Sequence, residues 1–149
     1  MSQKRTTEFI IIGQPVSCPR PRVTRHGTFY PKKYKEAKKL YAGQVRLHFA
    51  HNNLDQFVGP VALHVAFIHR RPKAMKGVDR VWKTTRPDVD NLVKTIKDAI
   101  SAAGAWKDDS QCCVLYAIDN YAEPNEEPHT RIIMTELTEA PQGSRCNDN

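Results

Sequence analysis

Four segments of the chain have the hydrophobic and polar pattern of β-strands. The alternation is clearest from Val61 to His69, where every second residue up to Phe67 is a large apolar one. Glycine and proline follow the first of these segments, at Gly13 and Pro15, and mark its end. The pattern predicts strands at residues 6–12, 61–69, 112–121 and 130–137.

Two further segments repeat apolar residues at helical spacing. The first runs from Pro31, a residue suited to the first turn of a helix, to about His51. The second begins at Asp88, whose side chain could cap free N–H groups, and ends before Gly104. Its predicted buried stripe consists of Val89, Leu92, Val93, Ile96, Ile100 and Ala103.

The order β-α-β-α-β-β indicates an α+β fold, a small mixed β-sheet with two helices packed on it. A chain of 149 residues suits one domain, which we assign to residues 1–139. Residues 140–149 are poor in hydrophobic residues, and we expect this tail to fray.

The chain carries a formal charge of +7, and its cations are concentrated in the first two thirds. A basic balance favours an anionic partner, of which nucleic acid is the commonest. A solvated face on a basic protein would also account for these residues. The alternative is contact with phosphates, which the resemblance carried by the second helix favours and which we expect from Arg20, Arg22, Arg25, Lys32 and Lys33, with Lys35, Lys38, Lys39 and Arg46 on the same segment.

Acidic residues flank the second helix. Asp88 and Asp90 open it, and Asp109 follows it in a second acidic pair. The helix climbs roughly 16 Å from Asp90 to Ser101 at about 1.5 Å per residue. Because an extended chain from Ser101 to Asp109 covers about 26 Å, Asp109 could return to the first two acids. Such a group suits Mg²⁺ or Mn²⁺, although a plain N-cap and a surface pair of Asp90 with Lys94 would need no metal.

The run D-V-D-N-L-V-K at 88–94, with W-K-D-D-S at 106–110, resembles the RusA family of Holliday junction resolvases. The opening G-x-P-V-S-x-P-R-P-R of residues 13–22 is similar to that of phage-type members. The resemblance implies a magnesium site at Asp88, Asp90 and Asp109, and an essential lysine at Lys94. Some members have a basic residue where this chain has Pro87, and Arg86 is the candidate to supply that charge to DNA. Asn91 of the motif and Asp98, one turn beyond Lys94, are expected to support the site.

The function that follows is Mg²⁺-dependent hydrolysis of phosphodiesters in four-way DNA junctions, during recombination and repair. The resemblance also implies a homodimer, since a four-way junction has two-fold symmetry. Two alternatives remain open: a nuclease that acts more broadly on flaps and forks, and a basic DNA-binding module whose acids are structural.

Other features exclude some classes of protein. No stretch approaches the roughly 20 apolar residues of a membrane span, and the first residues lack a signal-peptide core, so we expect a cytoplasmic protein. The four cysteines have no C-x-x-C spacing and are expected to be free thiols. His64 and His69 have no partner at zinc spacing. Trp82 either anchors its loop or contacts DNA bases.

Overall fold

A computed structural model describes residues 4–139 of the chain. Its main sheet has four strands in the order β1 (Thr6–Ile12), β6 (His129–Glu136), β4 (Val61–His69) and β5 (Cys112–Tyr121), with β4 and β5 parallel and the other neighbours antiparallel. The mixed sheet and two long helices confirm the predicted α+β fold, while the predicted frayed tail at 140–149 lies outside the described residues. The elements are β1 Thr6–Ile12, β2 Arg22–Thr24, β3 Gly27–Phe29, α1 Lys32–His51, β4 Val61–His69, α2 Val89–Ala103, β5 Cys112–Tyr121 and β6 His129–Glu136.

Three of the four predicted strands have the predicted bounds, and β6 begins and ends one residue earlier than predicted. The hairpin of β2 and β3 was missed. All six of its residues are exposed, so no apolar alternation marks it in the sequence. Gly27 has φ 128°, a backbone conformation that favours glycine, and it begins the second strand of the hairpin.

Helix α2 packs its apolar stripe into the core. Leu92, Ile96 and Ile100 are fully buried, whereas Val89 at the helix start remains 37% exposed. The helix ends where Gly104 adopts φ 74° and Ala105 N–H donates to the Ile100 carbonyl oxygen at 3.2 Å.

The turn after α2 is fixed by Trp106, which is fully buried and donates its indole N–H to Ser101 Oγ at 2.7 Å. From this turn the chain enters β5, which runs parallel to β4. A helix that connects two neighbouring parallel strands runs opposite to them, so the first residues of α2 lie at the carboxyl ends of β4 and β5. Within residues 4–139, neither helix is long and apolar enough to cross a membrane.

Candidate active site

The start of α2 presents two carboxylates without partners. Asp88 is the N-cap residue in extended conformation, as predicted, but its side chain accepts no capping hydrogen bond. The backbone carbonyl of Asp88 accepts instead, from Asn91 N–H at 3.1 Å and Leu92 N–H at 3.2 Å. Among the described residues, neither Asp88 nor Asp90 has a side-chain hydrogen bond or ion pair, and both are exposed. Their oxygens are therefore free to bind a ligand.

These carboxylates open onto a cavity of about 600 Å³. One wall is the loop before α2, which includes Trp82 and Lys83, and the other is the carboxyl end of β5. Asp119 on β5 contributes a third carboxylate, which the sequence analysis did not identify. We call this space, with Asp88, Asp90 and Asp119, the acidic cavity.

The sequence left open whether Trp82 anchors its loop or contacts DNA bases, and the structure shows an anchoring role for its backbone. Its backbone bridges to Asn120, and the neighbouring Lys83 N–H donates to the Asp119 carbonyl at 2.9 Å, which ties the loop to the end of β5. The indole itself is 65% exposed at the edge of the acidic cavity. The backbone of this segment anchors the loop, while the side chain stays available to a ligand.

Asp109 lies at the other end of β5, in a single 3-10 turn, Asp109–Gln111. The seven steps along the strand from Cys112 to Asp119 span about 23 Å at about 3.3 Å each. The expected meeting of Asp109 with Asp88 and Asp90 is thus not found within one chain. Among residues 4–139, no group of three or more His, Cys, Asp or Glu side chains could hold a metal ion.

The two acids of the second pair differ in their contacts. The Asp108 carboxylate caps the 3-10 turn by accepting from the N–H and the hydroxyl of Ser110. These hydrogen bonds lower the pKa of Asp108. Asp109 has no side-chain hydrogen bond or ion pair within the described range. Among the described residues, the Asp108 carboxylate is therefore engaged in capping the turn, whereas the Asp109 carboxylate is available to a ligand.

Lys94 lines a different cavity from the two acids that precede it. This space, of about 700 Å³, lies between α1 and α2, and we call it the basic groove. Its one acid, Asp98, accepts a hydrogen bond from the Tyr34 hydroxyl, and burial together with this carboxylate raises the pKa of Tyr34. The cations that line the basic groove are Lys35, Lys38, Lys39, Arg46 and Lys94.

The six residues predicted to contact DNA are all exposed or half-buried, none being buried. The structure brings Lys33 and Arg86 to one cavity of about 340 Å³, beside the acidic cavity. Lys32 is paired with Glu36 at 3.7 Å, an exposed contact that contributes little energy. The carbonyl of Asn91 accepts from Cys18 N–H at 3.0 Å, so it fastens the loop after β1 to α2. The other predicted contacts are Arg20, before the hairpin, Arg22, in it, and Arg25, at its turn.

Comparison with known proteins identifies the family of the chain. The model of the family described as Endodeoxyribonuclease RusA matches residues 13–135. The chain belongs to the RusA endodeoxyribonuclease family. It is 30% identical over 141 residues to the uncharacterized protein YqaN of Bacillus subtilis, covering 88% of this chain and 96% of YqaN. It is 40% identical over 60 residues to the crossover junction endodeoxyribonuclease rusA of Lactococcus phage r1t, covering 39% of this chain and 43% of that protein. Membership in the RusA family makes hydrolysis of DNA phosphodiesters the chemistry to explain.

Proposed function

We propose that this RusA-family protein cuts four-way and related branched DNA junctions, with a magnesium ion held at Asp88 and Asp90. The observation that carries the proposal is the pair of unpartnered carboxylates at the start of α2, facing a cavity open to solvent. Mg²⁺ keeps several of its waters and is often bound by only one or two carboxylates together with substrate phosphates. The residues present therefore fit such an ion, and Mn²⁺ could substitute for it. The ion would supply an activated water and offset charge on the phosphate.

DNA would reach the acidic cavity along the basic groove. Asp90 and Lys94 are one helical turn apart on the same face of α2, so the groove and the cavity adjoin there. A phosphate backbone lying in the groove would meet the cations of α1 and pass Lys94 before it reached the carboxylates. In that position Lys94 stabilises negative charge on the phosphate that is attacked.

A homodimer would bring the third acid to the site. Strand β5 lies at the edge of the sheet, and its residues Val114, Leu115 and Tyr116 are 46%, 49% and 60% exposed. An edge of this kind, with unpaired backbone groups and apolar side chains, is suited to pairing with another strand. The loop before α2 covers only the last residues of β5. The backbone N–H of Lys83, in the loop, donates to β5, and the backbone N–H of Tyr121, in β5, donates to the loop.

The sequence positions support a two-fold pairing of β5 with the β5 of a second copy. Asp109 and Tyr121 are both six residues from Leu115. Antiparallel pairing centred on Leu115 would therefore bring the Asp109 of the second copy toward the carboxyl end of β5, where Asp119 lines the acidic cavity. In this arrangement each site takes Asp88 and Asp90 from one subunit and the third acid from the other.

Cleavage of three labelled substrates tests the function. With Mg²⁺, we expect the protein to cut a four-way junction faster than a flap or a linear duplex of the same sequence. Equal cutting of the junction and the flap would favour the broader nuclease. Tight binding of all three without any cutting, in Mg²⁺ or Mn²⁺, would leave only a DNA-binding module and would contradict the proposal.

Mixing of inactive variants tests the shared site. An Asp90→Asn subunit paired with an Asp109→Asn subunit would contain one intact site, so the mixture should recover nicking activity. A mixture of Asp88→Asn with Asp90→Asn is the matched control, because both changes fall on the same side of the interface and neither site is intact. If the first mixture is as inactive as the control, the acids do not come from two subunits.

A further inference from the structure

A chain of polar contacts centred on the buried His69 connects the loop after β1, the end of β4 and the acidic cavity. The backbone N–H of Arg70, just after β4, donates to Gln14 Oε1 at 2.7 Å. This contact fixes the orientation of the Gln14 amide, whose Nε2 then lies 3.1 Å from Nδ1 of His69. On the other side of the imidazole ring, His69 Nε2 lies 2.5 Å from Asp119 Oδ1.

The direction of donation along this chain settles the form of His69. An amide nitrogen can only donate, so His69 Nδ1 must accept and carries no hydrogen. The ring proton is then on Nε2, the nitrogen that lies beside the Asp119 carboxylate, and the imidazole is neutral. His69 is 1% exposed and cannot itself reach a substrate. Its contact with Asp119 makes it a positioning residue.

Packing alone gives no reason for Asp119 to be at this place. Its side chain is only 11% exposed, and among the described residues its Oδ1 lies against the neutral ring of His69 without a hydrogen bond. Burial of a carboxylate without a cation is costly, and an apolar residue would fill the space at lower energy. The side chain lines the acidic cavity with Asp88 and Asp90, and since Oδ1 lies against the His69 ring, Oδ2 is the oxygen left for a ligand.

We propose that Asp119, held by His69 and Gln14, is a further carboxylate of the active site and contacts the water shell of the divalent cation. The inference rests on the proposed function. Asp119 does not form a three-ligand group with Asp88 and Asp90 among the described residues, which accords with a contact through water. The cavity of about 600 Å³ leaves ample room for such waters, since each takes about 30 Å³. Through them Asp119 would orient the hydrated ion relative to the DNA phosphate.

Binding of Mn²⁺ to the full-length protein, followed by electron paramagnetic resonance without DNA, tests this role. Asp119→Asn keeps the shape and can still accept from His69, but it removes the charge. We expect it to weaken Mn²⁺ binding by about tenfold, the lower end of the effect of residues that support a metal site. Asp79→Asn is the matched control, because Asp79 is an exposed acid on the loop after β4 and should bind Mn²⁺ like the native protein.

Two substitutions of His69 separate positioning from packing. His69→Gln keeps an amide N–H that can donate to Asp119 and should retain most of the Mn²⁺ affinity. His69→Leu leaves no donor at this position and should lower the affinity about tenfold. Thermal unfolding of each variant shows whether it is folded, and Mn²⁺ affinities are compared only between folded proteins.

The outcomes distinguish this inference from the proposed function. If Asp90→Asn weakens Mn²⁺ binding but Asp119→Asn does not, the pair of His69 and Asp119 is structural and the inference is wrong. If neither substitution changes the affinity, the metal site itself is not in this cavity and both proposals fail. Weaker binding in Asp119→Asn alone would support Asp119 while removing Asp90 from the site.

Discussion

The acidic cavity and the basic groove share one helix but carry opposite charge. Asp90 belongs to the first and Lys94 to the second, a single turn further along α2. Among the described residues that line each region, the one side chain of opposite sign is engaged by a hydrogen bond. In the cavity Lys83 Nζ donates to the carbonyl oxygens of Thr85 and Arg86 at 2.6 and 2.9 Å. In the groove Asp98 accepts from the Tyr34 hydroxyl.

Because Lys83 and Asp98 are held by these hydrogen bonds, neither one pairs with the opposite charges of its own region. If Lys83 paired with the carboxylates, or Asp98 with the lysines, each region would be partly neutralised in the free protein. Instead the carboxylates are available to a cation and the lysines to phosphates, which are the two charged components of metal-dependent DNA hydrolysis. The comparison predicts that changes in the cavity, and at Lys94 where the groove adjoins it, act on the rate of cleavage, while changes elsewhere in the groove act on DNA affinity.

The largest effect should come from the cavity. Asp88→Asn, Asp90→Asn and Asp109→Asn should each reduce junction cleavage by at least about 10³-fold, because metal charge stabilisation is worth several kcal/mol. Binding in Ca²⁺ should stay intact or tighten, since the DNA phosphates meet less negative charge. Single-turnover cleavage and a gel-shift titration measure the two quantities.

Asp108→Asn is the control for the third acid. Asn can replace Asp108 as the cap of the 3-10 turn, so this variant should keep much of its activity. An inactive Asp108→Asn protein beside an active Asp109→Asn protein would show that the assignment within the pair is wrong.

The boundary between the two regions is tested by Lys94. Lys94→Gln should lower the single-turnover rate by about 10²-fold while changing junction affinity by less than about threefold. Lys97→Gln, on the same helix but outside the lining of both regions, provides the comparison. A fall in affinity without a fall in rate would place Lys94 entirely in the binding surface.

The groove should control affinity and its dependence on salt. A protein with Lys35, Lys38 and Lys39 all changed to Gln should show a shallower slope of log affinity against log salt. The expected decrease is about 0.9 for each phosphate that these lysines neutralise in the native protein. The same three-charge change at Lys73, Lys76 and Lys107, which lie outside the groove, is the control. Equal slopes in the two triple variants would show that the groove does not bind DNA.

The smallest effect concerns the contact that occupies Asp98. Tyr34→Phe removes a hydrogen bond worth about 1 kcal/mol and leaves a free carboxylate in the groove, so stability and DNA affinity should both fall slightly. The pKa of Tyr34 is raised above the ordinary 10.0, so in alkali the unfolded chain releases this proton before the folded chain does. The stabilisation is therefore complete below pH 10 and declines as pH rises above it.

Urea unfolding at about pH 8 and at a series of values above the ordinary tyrosine pKa of about 10 checks this sign. The difference in the free energy of unfolding between native protein and Tyr34→Phe should shrink as pH increases. Tyr41, whose pKa is also raised by burial, is present in both proteins and cancels from the difference. A difference that grows with pH would contradict the role of Tyr34.

Local pattern was enough for the strands, the helices and the acidic motif. Large apolar residues alternate along β4 from Val61 because successive side chains of a strand point to opposite faces. Helix α2 ends at Gly104 because glycine, which has no Cβ, adopts the left-handed backbone conformation without steric cost. The exposed hairpin of β2 and β3 left no such signal. The motif residues Asp88, Asp90 and Lys94 were found from their own spacing, and their roles remain proposals.

The sequence by itself determined the α+β fold, the helix that begins at Asp88 and the family to which the chain belongs, since each depends on neighbouring residues or on a motif within one segment. Only the tertiary structure decided which charges meet. Strand β5 carries Asp109 away from Asp88 and Asp90 because a strand extends about 3.3 Å per residue in one direction. The same strand brings Asp119 to His69, far away in sequence, because its pairing with β4 aligns the carboxyl ends of both strands. Contacts of this kind depend on sheet register and helix packing, which no local pattern of residues specifies.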